Sequence, residues 1–110
     1  MEIPKKIQIG GQILETQMCE ELGGKLGKCC LFNGYIKIAT NIDNTKQSES
    51  SKFNTYIHEV VHAILDTMGR DDLSRDEVFV SSFAGFATEG LISILNDCCL
   101  ADGIEKEIIL

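Results

Sequence analysis

Between residues 53 and 69 the chain reads FNTYIHEVVHAILDTMG. Ile57, Val61, Ile64, Leu65 and Met68 recur there at i, i+4, i+7, i+8 and i+11, the spacing of one helical face. The pattern predicts a helix over about 52–68, with Gly69 as the residue that closes it. Such a stripe must be buried against something, and a second one follows the polar stretch RDDLS. Val80, Phe83, Ala84, Ala87, Leu91 and Ile94 predict a second helix over about 75–96, its apolar side turned inward, with a short tail at 97–110.

The front of the chain carries period-two signals instead. Strands are expected at about 6–17, 29–32 and 35–39, the last two joined by Asn33-Gly34, a dipeptide that favours tight hairpins. Residues 41–51, NIDNTKQSESS, read as a polar connector into the first helix. Apolar residues make up 44% and charged residues 25% of 110 positions, which suits a single globular domain with one core. The expected fold class is therefore α+β, a small antiparallel sheet packed on two main helices.

The first helix holds both histidines of the chain, His58 and His62, with Glu59 between them. Positions four apart on a helix differ by about 40° in azimuth, so both rings can aim at one point. Glu59 lies about 100° round from His58, near that point without being a ligand. This is the H-E-x-x-H spacing of zinc peptidases, in which the glutamate takes the proton of a metal-polarised water. A third protein ligand is then required. Leu65 and Met68 stand where one common pattern would place a glycine and a further ligand. Glu77 heads the apolar side of the second helix and is the leading candidate. Ser74-x-x-Glu77 also reads as a capping box, which would occupy Glu77 otherwise, and Asp66, Asp72, Asp76 and Glu89 remain alternatives.

Charge and cysteine content narrow the classes further. Residues 1–65 carry seven acidic and seven basic side chains, and residues 66–110 carry ten and three. No basic patch suited to phosphates is visible, so direct nucleic-acid binding is not expected. No apolar run approaches the roughly 18 residues that span a bilayer, and the N-terminus has no signal-peptide pattern, so a cytoplasmic protein with no membrane contact is expected. Five cysteines, four of them in the adjacent pairs Cys29-Cys30 and Cys98-Cys99, read as reduced thiols in the core and not as disulfides or a thiolate metal site.

The segments YIHEVVHAIL and DEVFVSSFAGFATEGLISIL resemble the small zincin-like metallopeptidase proteins of phages and prophages related to the ImmA/IrrE type. In those proteins a motif close to LLHEIxHAI is followed by E-x-x-V-x-x-(L/F)-A, here Glu77, Val80, Phe83 and Ala84. The resemblance spans about residues 29–96 and implies a minimal zincin-like fold with Zn²⁺ held by His58, His62 and Glu77 and with Glu59 as the catalytic base. It implies a zinc-dependent metallopeptidase of narrow specificity, of phage or prophage origin and located in the host cytoplasm. Its partner would be a protein or peptide substrate. The alternative is a catalytically idle zincin-fold adaptor that binds a host or phage regulatory protein. Ser81 departs from the family, since many glutamate zincins carry an aspartate four residues after the ligand. No oxyanion-stabilising residue is evident, and Tyr35 and Tyr56 are read as packing aromatics that could polarise a carbonyl.

Overall fold

The computed structural model describes residues 2–102, with side chains described over residues 2–97. It has strands β1 (Lys6–Ile9), β2 (Gln12–Cys19), β3 (Gly27–Cys30), β4 (Tyr35–Ala39), β5 (Asn41–Ile42) and β6 (Thr45–Lys46). Helices α1 (Glu49–Thr67), α2 (Asp71–Ser74) and α3 (Glu77–Asp102) follow. The protein is α+β, as expected, with a four-stranded sheet in the order β1-β2-β4-β3 and the small β5-β6 hairpin beside it.

The sheet departs from the expected antiparallel form. β1 pairs with β2 and β3 with β4 antiparallel, but β2 and β4 run parallel, with Glu15 opposite Tyr35 and Cys19 opposite Ala39. The cause is burial. Ile36, Ile38 and Ala39 are fully buried, so β4 takes a central place and β3 is pushed to the edge. Each buried isoleucine or leucine in this layer contributes about 1.5–3 kcal/mol. The run expected as one strand over 6–17 is a hairpin that turns at Gly10-Gly11. The second hairpin also differs. β3 ends at Cys30, not at residue 32, and residues 31–34 form a four-residue turn that leaves Phe32 96% exposed. Asp43 and Asn44 both adopt positive φ, 49° and 64°, and fold the supposed connector into β5 and β6.

α1 begins at Glu49, three residues earlier than expected, because Ser48 caps it by accepting a hydrogen bond from the Ser51 amide at 3.1 Å. Its end is the predicted one. Gly69, at φ 78°, donates to the Asp66 carbonyl at 3.1 Å, and Arg70 donates to that of Leu65 at 2.8 Å, the paired bonds of a Schellman closure. α1 lies on the sheet and α3 packs on α1. Phe53, Tyr56, Val60 and Ala63 join Ile57, Val61 and Leu65 in the core, so α1 is buried on two sides, while Ile64 and Met68 stay exposed.

α3 differs most from expectation. It starts at Glu77, and it continues through residues 97–102, where the sequence pattern suggests a tail; residues 103–110 lie outside those described. Its buried line is Val80, Ala84 and Thr88, at i, i+4 and i+8. Phe83, Leu91 and Ile94, expected on the inner side, are 53%, 42% and 55% exposed: Leu91 and Ile94 lie beyond Thr88, the last buried position of the line, and Phe83 sits at its rim, stacked on Phe79 beside Ile64 and Met68. By length and composition α3 is also apolar enough over Glu77–Asp97 to cross a membrane, which no continuous apolar run in the sequence suggests.

Edge strand β3 is pressed against α1 at a residue with no side chain. A Cβ on Gly27 would lie 2.7 Å from Thr55 Cγ2, 3.0 Å from the Lys37 carbonyl oxygen and 3.3 Å from Glu59 Cγ. Backbone pairing of Gly27 with Ile38 leaves the strand little room to retreat. Gly27→Ala is expected to cost about 1–3 kcal/mol by overpacking. Gly85→Ala on α3, where nothing lies within 4 Å, should be neutral or stabilising. Urea denaturation of both variants checks the contrast, and equal stabilities would show that β3 is free to shift.

Candidate metal centre

One turn of α1 and the first turn of α3 bring three expected residues together. His58 Nε2 lies 3.2 Å from Glu77 Oε1, and His62 Nε2 lies 3.1 Å from Glu77 Oε2. The imidazole rings are 5.0 Å apart by centroid and tilted by 63°. One ligand atom from each of the three residues falls within 4.8 Å of the others. The two contacts run to different oxygens of the Glu77 carboxylate, which thus bridges both imidazoles, and the three residues are close enough to hold a metal ion between them. Burial is the main influence on His58 and lowers its pKa; the neighbouring His62 adds to this and the Glu77 carboxylate opposes it. A neutral imidazole is the form a cation requires.

The competing roles for Glu77 resolve at the helix start. Asp76, not Ser74, caps α3, its Oδ1 accepting from the Phe79 amide at 3.1 Å. Glu77 is then at the first helical position and free to face α1. Ser74 is instead buried at the end of α2, with its Oγ 3.0 Å from His62 Nδ1. A hydroxyl can donate or accept, so it can donate to Nδ1 when Nε2 carries the proton and accept from Nδ1–H when Nε2 holds a cation. The sequence held no signal for this contact beyond a serine twelve residues after the histidine. Of the other candidates, Asp72 is paired with Arg70 at 3.0 and 2.9 Å, Asp66 is exposed one turn beyond His62 at the rim of the same cleft, and Glu89 is exposed far along α3.

Glu59 is 7% exposed and turned towards β3. Burial raises its pKa most; the Glu77 charge raises it further, while His62, a hydrogen bond from Cys29 and the charge of Lys25 lower it. The Cys29 thiol is pushed up to about 12, by burial first and then by the charge of Glu59, so it remains a protonated donor. Cys19, Cys29 and Cys30 are free and half-buried, in keeping with reduced thiols, whereas the side chains of Cys98 and Cys99 lie outside those described. An open cleft of about 380 Å³ is lined by His58, Glu59, His62, Glu77 and Cys29 and reaches Asp66. Tyr35 and Tyr56 line no part of it: Tyr56 is 2% exposed in the core, and Tyr35 packs under Lys37, whose Nζ is 4.6 Å from the ring centre.

Comparison of the chain with protein-family models, with curated proteins and with solved structures finds no match. The arrangement itself is a two-histidine, one-carboxylate cluster that could hold a metal ion, beside a buried glutamate in an open cleft.

Ser74→Ala is expected to weaken metal binding about 10- to 100-fold, the usual effect of removing the partner that orients a ligand imidazole. Asp76→Ala should instead cost about 1 kcal/mol of stability through the lost cap and leave metal affinity unchanged. Competition with a chelator of known affinity separates the two. An unchanged affinity in Ser74→Ala would remove the hydroxyl from the centre.

Proposed function

We propose that this chain is a zinc-dependent metallopeptidase of the minimal zincin type. The observation that carries the reading is the meeting of His58, His62 and Glu77 at hydrogen-bonding distance, beside a buried Glu59 that makes none of those contacts. Zinc in such a centre supplies a polarised water and a Lewis acid for the substrate carbonyl. The residues of the chain do the rest. Glu59 accepts a proton and returns it to the leaving amine, with its carboxylate held by Cys29 and its pKa raised by burial towards that task. β3 is an edge strand beside the cleft, and its unpaired backbone groups suit an extended peptide. The resemblance to phage and prophage proteins of the ImmA/IrrE type supports the same reading and, with it, a cytoplasmic regulatory substrate.

The apolar surface of α3 favours a second reading. Val78 is 78% and Phe86 74% exposed, which suits a catalytically idle adaptor that holds a regulatory protein. Incubating the zinc-loaded chain with neighbouring regulators and reading new termini by mass spectrometry separates the two. New termini support the peptidase, and a partner retained intact supports the adaptor.

A further inference from the structure

The cleft has a second lobe of about 330 Å³ that shares Lys25, Gly27, His58 and Glu59 with the first. The first lobe extends along α1 towards Asp66, the second towards Asn54 and Thr55, with Ser81 of α3 on its far side. From Asn54 to Asp66 is about 18 Å of helix, the length of about five residues of extended chain. The two lobes together therefore form a groove long enough for a peptide segment, with the histidine cluster between its ends.

The ends of this groove differ in charge. Lys25 and Glu59 line both lobes, and the first adds Glu77 and Asp66 as well as Lys28. In the second, apart from the buried Glu59, Lys25 is the only charged side chain, and the remaining polar groups are the neutral Asn54, Thr55 and Ser81. Lys25 is exposed and forms no ion pair among the described residues, in a chain with 17 acidic against 10 basic side chains. It is also held in place by the backbone. Its amide closes a turn on the Leu22 carbonyl at 3.2 Å, and two residues later Gly27 is wedged against Thr55. A cation so placed lowers the pKa of Glu59 yet makes no ion pair at contact distance with any described carboxylate.

We propose that the Lys25 lobe receives an acidic side chain of the substrate, so that the substrate class is extended peptides with Asp or Glu at a set distance from the reacting bond. Lys25 lines both lobes together with His58, so the acidic side chain lies close to the reacting bond, within about two residues of extended chain, the span of about 6 Å along α1 from His58 to Asn54 at the end of the lobe. This rests on the peptidase reading for the meaning of the groove, but its binding test is independent of turnover. Asp66 at the far end repels a second acid, so a single acidic position is expected, not an acidic run.

The test uses the full chain as the zinc-loaded Glu59→Gln variant, immobilised and exposed to a randomised octapeptide pool. Enrichment of Asp and Glu over Asn and Gln by about fivefold at one position, the upper range for a single exposed ion pair, is expected. Lys25→Met should remove the preference and Lys25→Glu should turn it towards Lys and Arg, with zinc content unchanged in both. Absence of any retained peptide, absence of an acidic preference, or the same preference in Lys25→Met overturns the proposal. The enriched peptides are then offered to the chain with Glu59 intact. Cleavage supports the peptidase, whereas peptides held through Lys25 but left intact refute the peptidase reading and leave the acid-binding lobe standing.

Discussion

Saturation with zinc is expected to raise the melting temperature of this chain by about 10–20 °C. The size follows from linkage. A ligand at 100 times its dissociation constant that binds only the folded state adds about 2.7 kcal/mol, and a domain of about 100 residues gains about 4–8 °C per kcal/mol. His58, His62 and Glu77 meet only when α3 is docked on α1, so the unfolded chain offers no equivalent site. The protein holds no other histidines, and its described cysteines are free, with Cys29 firmly protonated, so the rise should vanish in a His58→Ala, His62→Ala double variant. Metal analysis of protein purified without an affinity tag should find one zinc per chain. A zinc-dependent rise that persists in the double variant would move the site elsewhere, and no bound zinc in the native chain would remove the metallopeptidase proposal altogether.

The second large effect belongs to Glu59. Glu59→Gln keeps the shape of a side chain packed against Gly27 and Thr55 and keeps an acceptor for the Cys29 thiol, but it cannot take a proton. Hydrolysis of any cleaved peptide should fall by about 10²- to 10⁴-fold, the range for loss of a general base, with zinc content unaltered. Zinc lost together with activity would mean that Glu59 acts as a ligand. Activity retained within a factor of a few would exclude it as the base and assign the proton to another group in the cleft.

The helical half was readable because its signals are local. His58, Glu59 and His62 fall within two turns, and their mutual placement needs nothing but helix geometry. Glu77 was readable as one of several candidates, because the order of Ser74, Asp76 and Glu77 supports more than one way to begin α3. Only the contacts of Ser74 with His62 and of Asp76 with Phe79 decide among them. The sheet was harder. Parallel pairing of β2 with β4 joins residues 20 apart, Glu15 with Tyr35, and no turn signal specifies a parallel neighbour. β3 begins at a glycine, which reads as a break in a strand, although here it is the residue that lets the edge approach Glu59. Lys25 carried no motif at all, since its position matters only once β3 lies beside α1.

The three residues of the centre, together with Ser74, lie within the short span from His58 to Glu77, although the sheet is built from distant pairings. A metal held there ties α1, α2 and the first turn of α3 into one local loop and touches no strand through its ligands. Release would require the α2–α3 junction to swing away, and because Val80, one turn after Glu77, is fully buried, that opening would also lift part of the helical core while leaving the β2–β4 pairing in place. The exchange rate of a metal held there would then follow this local opening and not the global unfolding rate.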